Sequence, residues 1–145
     1  MKNELRFAIF TTVFACLGIL SSAQSSERSV WDGVYTADQA KRGQALYVTN
    51  CASCHGSELT GGESAPPLAG GDFTANWNGL TVGDLFDRIR TSMPADRPGR
   101  LSREQNADIL AFMLQFNQFP AGQSELEHQS EVLKLIRFES TKPKK

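Results

Sequence analysis

The chain is 145 residues long, 40% apolar and 21% charged, which suffices for one globular domain and excludes collagen-like, coiled-coil and wholly disordered readings. Its formal net charge is −1, so no basic field exists to hold nucleic acid. No 18-residue apolar run follows position 23, which excludes a multi-span membrane protein.

The first 23 residues read as a secretory signal. Lys2 and Arg6 flank the start, residues 7–20 carry no charge, and Ser21, Ser22 and Ala23 offer the small side chains a signal peptidase needs. Two alternatives stand beside cleavage after Ala23: an uncleaved anchor, for which the run is short against a ~30 Å hydrocarbon core, and a lipoprotein attached through Cys16, which bulky Phe14 disfavours. Cleavage leaves 122 residues with 13 basic and 15 acidic side chains and predicts a periplasmic protein with no membrane span. Charge is segregated within it: the last twelve residues sum to +4 and positions 24–133 to −6. Cys51 and Cys54 are then the remaining cysteines. A disulfide between them would close too small a loop to restrain the unfolded polypeptide.

Residues 24–35 form a polar arm with Val30, Trp31 and Val34 as anchors. Thr36 and Gln39 make a T-x-x-Q capping box that predicts a helix over 37–48, with Ala40, Gly43 and Tyr47 on one face. Gly43 costs about 1 kcal/mol there relative to alanine, which points to another backbone at close range. Six glycines with Pro66 and Pro67 make regular structure improbable over most of 51–79. So long a loop in a small domain implies a function or a ligand to wrap. Thr81 and Asp84 cap a helix whose Val82, Leu85, Phe86 and Ile89 share a face, and Pro94 ends it near Ser92. A turn at Pro98-Gly99 follows. Ser102 and Gln105 then open a helix over 103–117, apolar around much of its circumference and so packed on more than one side. The domain spans 36–122. Beyond it, 123–145 is an extension whose Val132, Leu133, Ile136 and Phe138 fit a short docked helix or an extended strip, ending in a basic tail.

Cys51-Ala52-Ser53-Cys54-His55 is the decisive motif. In an exported protein the pattern C-x-x-C-H reads as attachment of haem c: two thiols on one local turn bond the vinyl groups along one haem edge, and the next residue presents an imidazole to iron. A zinc site would need two further ligands, and only His128, 73 positions downstream of His55, is left among mature Cys and His. A redox dithiol would be expected beside a βαβ pattern, which this sequence lacks. With His55 as proximal ligand, Met93 is the candidate for the opposite side. It lies 38 residues on, where Pro94 extends the backbone. A thioether there favours Fe(II). Met113 fits core packing better, and His128 sits in a polar run.

A helix, the attachment motif, a glycine- and proline-rich loop, Met93-Pro94 and an aromatic-rich terminal helix together resemble the class I c-type cytochromes over roughly residues 37–120. The resemblance implies a mostly α, small cytochrome c fold, with three to four helices around one covalently bound haem. It also implies a close crossing of first and last helices, matched by Gly43 and Tyr47 against Phe112 or Phe116. The stretch at 65–70 is similar to the family's proline loop, in which a proline carbonyl accepts the proton of the haem histidine; Pro66 is the match, although adjacent Pro67 leaves the register open. Leu68, Phe73, Leu85 and Phe86 correspond to haem-crevice residues or to ordinary core. Trp77, Arg88, Arg90 and Arg97 are candidate propionate partners, with a solvated or packed side chain as the alternative for each.

The expected function is electron transfer, not enzymatic catalysis: single electrons pass from a periplasmic donor, such as a quinoprotein dehydrogenase, to a downstream cytochrome or oxidase. The arm at 30–35 and the extension at 125–138 resemble those of periplasmic cytochromes serving quinoprotein dehydrogenases, so a subunit of a larger dehydrogenase complex is the alternative. A haem sensor or enzyme is a third reading, should the methionine ligand be absent or labile. The acidic main body predicts docking with a basic partner that weakens as salt rises.

Overall fold

The computed structural model describes residues 28–63 and 65–144. The expected signal sequence and Cys16 lie outside them. In sequence order come β1 (Arg28–Ser29), a 3₁₀ turn (Val30–Asp32), α1 (Ala37–Asn50), α2 (Ala52–His55), α3 (Gly70–Trp77), α4 (Val82–Ser92), α5 (Arg103–Phe116), α6 (Ser130–Leu133) and β2 (Ile136–Arg137). None of the described helices is long and apolar enough to cross a membrane.

The crossing of α1 and α5 is the most extensive packing between elements. Gly43 is buried with the Asp108 backbone directly against it, so the costly glycine does meet a second backbone. Beside that point Tyr47 lies against Phe112, ring centroids 5.3 Å apart, and Phe112 against Phe116 at 5.9 Å. Arg42 clasps the crossing from outside: Nε and Nη2 each donate to the Asp108 carboxylate at 3.0 Å, and Nη1 reaches Glu125 at 2.9 Å. In α5, Ile109, Leu110, Ala111, Phe112, Met113 and Leu114 are all buried. This is the packing on several sides that their spread around the helix predicts.

All three predicted helix starts are capped, with one difference. At α4 and α5 the boxes are reciprocal, Thr81 with Asp84 and Ser102 with Gln105. At α1 only half of the box forms: Thr36 Oγ1 accepts from the Gln39 amide at 3.2 Å, but the Gln39 side chain turns to Leu126. There it accepts from the Leu126 amide at 2.6 Å and donates to the Leu126 carbonyl at 3.0 Å. A buried amide group is satisfied by tertiary pairing in preference to its local cap.

Helix α3 occupies part of the stretch where glycines argue against regular structure. It starts on two of them, with Ala69 at its N-cap and no side-chain cap, and Phe73 anchors it in the core. Arm and extension pack onto the same core. β1 pairs in parallel with β2, Tyr35 Oη donates to the Phe119 carbonyl at 2.6 Å, and Trp31 Nε1 to the Glu139 carbonyl at 2.9 Å. Val30 and Phe138 are fully buried. The extension uses both forms open to it, the helical turn α6 and the strand β2.

Helix α6 is pinned to α4 through Asp87, which accepts from Ser130 Oγ at 2.6 Å and lies 3.5 Å from Lys134 Nζ. The Ser130 hydrogen bond, with help from Lys134, holds the Asp87 carboxyl below the usual carboxylate range; the Thr81 hydroxyl does the same for Asp84. A depressed folded-state pKa contributes stability that is present above the unfolded value, about 3.9, and is lost as pH falls through the folded value. The urea midpoint is therefore expected to fall progressively as the pH is taken below about 5. Asp87→Asn should lower it at pH 7 and flatten that acid limb. An unaltered acid limb in the variant would show that Asp87 does not hold the extension.

Candidate functional site

The attachment motif sits where α1 stops. Cys51 N donates to the Tyr47 carbonyl at 2.8 Å, closing α1, and the backbone then turns at Cys51 (φ −128°, ψ −35°) into the single turn of α2. Within that turn the amides of Cys54 and His55 donate to the Cys51 carbonyl at 3.1 and 3.0 Å. Both thiols therefore belong to one helical turn, and both are free. Cys54 is exposed and Cys51 half-buried. Burial pushes the Cys51 thiol up to about 11, against the pull of the nearby Arg100 guanidinium, which contacts Asn50.

His55 is 7% exposed, and its Nδ1 lies 2.9 Å from the Pro66 carbonyl oxygen. A carbonyl only accepts, so Nδ1 carries a proton, and Nε2 is the ring nitrogen left to serve as a ligand in the neutral imidazole. Such a bond fixes the ring of a metal-ligating histidine and raises its basicity. Between the two open registers the structure selects Pro66 over Pro67. The loop is shaped for this contact. Gly61 N donates to the His55 carbonyl at 2.9 Å, Gly62 N to the Ala65 carbonyl at 2.9 Å, and Leu68 N to the Leu59 carbonyl at 2.8 Å.

Met93 caps the C-terminus of α4 in an extended conformation (φ −121°, ψ 153°), as the following proline requires. The Met93–Pro94 peptide is cis. Cys51, Leu68 and Met93 are partly buried against one apolar cluster that contains Phe73, Leu85, Phe86 and Ile89. Met113 is 2% exposed inside that cluster. His128 lies 3.4 Å from Glu104 on the surface. Among the described residues no group of three or more His, Cys, Asp and Glu side chains is placed to hold a metal ion.

Three residues important to this geometry give little signal in the sequence. Tyr47 Oη donates to the Gly56 carbonyl at 2.7 Å and ties α2 to α1, while its ring supplies the helix contact. Leu59 is fully buried at φ +56°, an unusual backbone for a branched residue, and leads the loop from His55 towards Pro66. Asn117 spans the end of α5 and the proline loop, donating to the Leu68 carbonyl at 3.0 Å and accepting from the Gly70 amide at 3.0 Å. A tyrosine at helical spacing reads as core, and a lone asparagine or leucine in a loop reads as nothing in particular.

These residues fit a c-type haem. Two thiols on one turn, an imidazole nitrogen left free by the Nδ1 bond, and a buried Arg90 Nε with no hydrogen-bond partner all suit an anionic porphyrin with a nitrogen-liganded iron. The haem would supply reversible one-electron chemistry at iron. A separate cavity of about 460 Å³, bordered by Trp31, Leu59, Gly70, Phe116, Phe119 and Ser140, is not this site, because its lining contains none of Cys51, Cys54, His55 or Met93.

Residues 38–113 match the family model described as cytochrome c oxidase, cbb3-type, subunit III. Among solved structures, a polypeptide in the crystal structure of the sulfane dehydrogenase SoxCD from Paracoccus pantotrophus is similar, with TM-score 0.52 and 28% identity over 84% of this protein and 68% of that one. No curated protein matches. The family match spans more than half of the sequence and contains the attachment motif, the proline loop and Met93, so the protein belongs to this cytochrome c family, whose members bind haem and transfer electrons.

Proposed function

We propose that the protein is an exported cytochrome carrying a single haem c, bonded through Cys51 and Cys54, with His55 and Met93 as axial ligands, and that it passes one electron at a time between periplasmic partners. The observation that carries the ligand assignment is the bond from His55 Nδ1 to Pro66, which leaves Nε2 free and orients the ring. Each thioether forms by addition of a cysteine S–H across a vinyl group, so no oxidant is needed. Met93, partly buried on the same cluster as Cys51, supports a saturated iron that exchanges electrons with little rearrangement and admits no substrate.

Intact-mass analysis of the secreted protein is expected to find one haem added and both thiols consumed. The reduced protein should not bind carbon monoxide readily, whereas Met93→Ala should bind it and show a lower reduction potential, because the thioether's preference for Fe(II) is lost. Rapid binding by the parent would instead indicate an open axial position and favour a sensor or enzyme.

The likeness to a polypeptide of a sulfane dehydrogenase supports a second reading, in which this cytochrome accepts electrons as the haem subunit of a dehydrogenase complex. A quinoprotein-type donor and a downstream cytochrome or oxidase are the corresponding partners. Co-purification with a dehydrogenase through size exclusion separates the readings, since a freely diffusing carrier elutes alone.

A further inference from the structure

Among the described residues four large apolar side chains are exposed: Val48, Leu80, Val132 and Leu135. Val48 stands apart on α1. The other three gather at the extension. Val132 and Leu135 belong to it, the Leu135 amide donating to the Val132 carbonyl at 3.1 Å, and Leu80 is tied to it, its carbonyl accepting from the Phe138 amide at 2.9 Å. Leu135 is the most open, at 68% exposure. A single exposed leucine needs no explanation, whereas three such side chains on bonded segments mark a contact surface.

Cations accompany them. Arg28, Lys134, Lys142 and Lys144 are exposed, and Arg137 is half-buried. The acidic neighbours are Glu131, Glu139 and Asp87, of which Asp87 pairs with Lys134 at 3.5 Å and Glu139 accepts from Ser29 Oγ. The last twelve residues sum to +4, while positions 24–133 sum to −6. This end of the molecule therefore attracts an anionic surface and the main body is repelled by it.

An acidic protein and an anionic bilayer both answer that charge, and two observations favour the bilayer. The centres of protein–protein contacts are built on Trp, Tyr and Arg, with Leu and Val under-represented, whereas leucine beside lysine is the composition of a membrane-surface contact. The N-terminal apolar stretch also joins the molecule here. Arg28 is opposite Ile136 in the β1–β2 register, next to Leu135, and residues 7–20 end eight positions before it, a reach of at most about 28 Å. On the export reading this surface is delivered beside the bilayer before the signal is removed.

We infer that the surface formed by Leu80, Val132, Leu135 and the basic tail binds an anionic lipid bilayer, as a peripheral contact that outlasts signal cleavage. The inference goes beyond the electron-carrier reading and rests on export, not on the haem. Repulsion of the acidic body orients the molecule on the membrane. A carrier held in this way searches a surface for its partners instead of a volume.

The test is sedimentation of secreted holoprotein, processed after Ala23, with vesicles of phosphatidylcholine alone and of an equimolar mixture of phosphatidylcholine and phosphatidylglycerol. Leu135→Ser, the double variant Lys142→Gln with Lys144→Gln, and the control Val48→Ser all change exposed side chains and leave the core packing alone. The parent is expected to sediment with the mixed vesicles at low salt, to leave them as salt rises, and to ignore phosphatidylcholine. Binding should weaken about fivefold for each lysine removed. It should weaken about tenfold in Leu135→Ser, whose apolar surface no longer enters the interface. Val48→Ser should bind as the parent does. A parent that stays in solution beside the mixed vesicles would overturn the inference and leave the extension to an acidic protein. Equal binding by parent, Leu135→Ser and the double lysine variant would overturn it too. Either result leaves the cytochrome reading intact, which falls instead if the parent carries no haem by mass.

Discussion

Replacing Gly43 by alanine is expected to destabilise the protein by about 3 kcal/mol or more, although it puts a better helix former into a helix. Propensity alone favours alanine by about 1 kcal/mol. Against this, a Cβ at position 43 would overlap the Asp108 carbonyl group and stand 3.0 Å from the Ile109 amide nitrogen. Neither neighbour is a side-chain tip that can swing away, so α1 and α5 must separate. Separation loosens the contact of Tyr47 with Phe112 and the double bond from Arg42 to Asp108. With a total stability of about 5–15 kcal/mol for a domain of this kind, the loss should appear as a large fall in urea midpoint and in yield of folded protein. Ala45→Gly, at an exposed position two residues along, should cost only the propensity difference. Equal stability of Gly43→Ala and parent would mean that the helices do not cross at this residue.

Gly43 also shows why parts of the fold are legible in sequence. The three main helices carry their own start signals at Thr36, Thr81 and Ser102 and their own apolar periodicity, so local chemistry and tertiary packing agree. Helix α3 has no side-chain cap and opens with Gly70 and Gly71, and is held by Phe73 entering the core. No local pattern announces that. Gln39 illustrates the same point in reverse: the capping box it promises is half-broken because the extension, 87 residues away, offers its amide two buried partners. At the site, Cys51, Cys54 and His55 are readable because the C-x-x-C-H spacing is itself the signal. Pro66 becomes unambiguous only through the Nδ1 distance, and Arg90 stands out from Arg88 and Arg97 only through burial.

Gly61→Ala should produce the second large effect, and through the histidine instead of the helices. Gly61 has φ +76°, a left-handed backbone that costs an L-residue about 1–2 kcal/mol. A Cβ there would also lie 2.6 Å from the Ala65 carbonyl oxygen, 2.7 Å from Pro67 N and 2.8 Å from Pro66 C. The last atom belongs to the carbonyl that accepts the His55 Nδ1 proton, so relief of the clash displaces that acceptor. Two consequences are expected together. Stability falls by about 2–4 kcal/mol from backbone strain and overpacking. Under the proposed function the reduction potential should also rise, because an imidazole without its acceptor is less basic and would donate less to Fe(III). Gly62→Ala is the matched control: its Cβ would sit 3.5 Å from the Cys54 carbonyl oxygen, an ordinary contact. Spectroelectrochemistry of the two variants beside the parent separates the effects. A Gly61→Ala protein that is destabilised yet keeps the parental potential would show that the Pro66 carbonyl does not tune the proposed haem ligand His55.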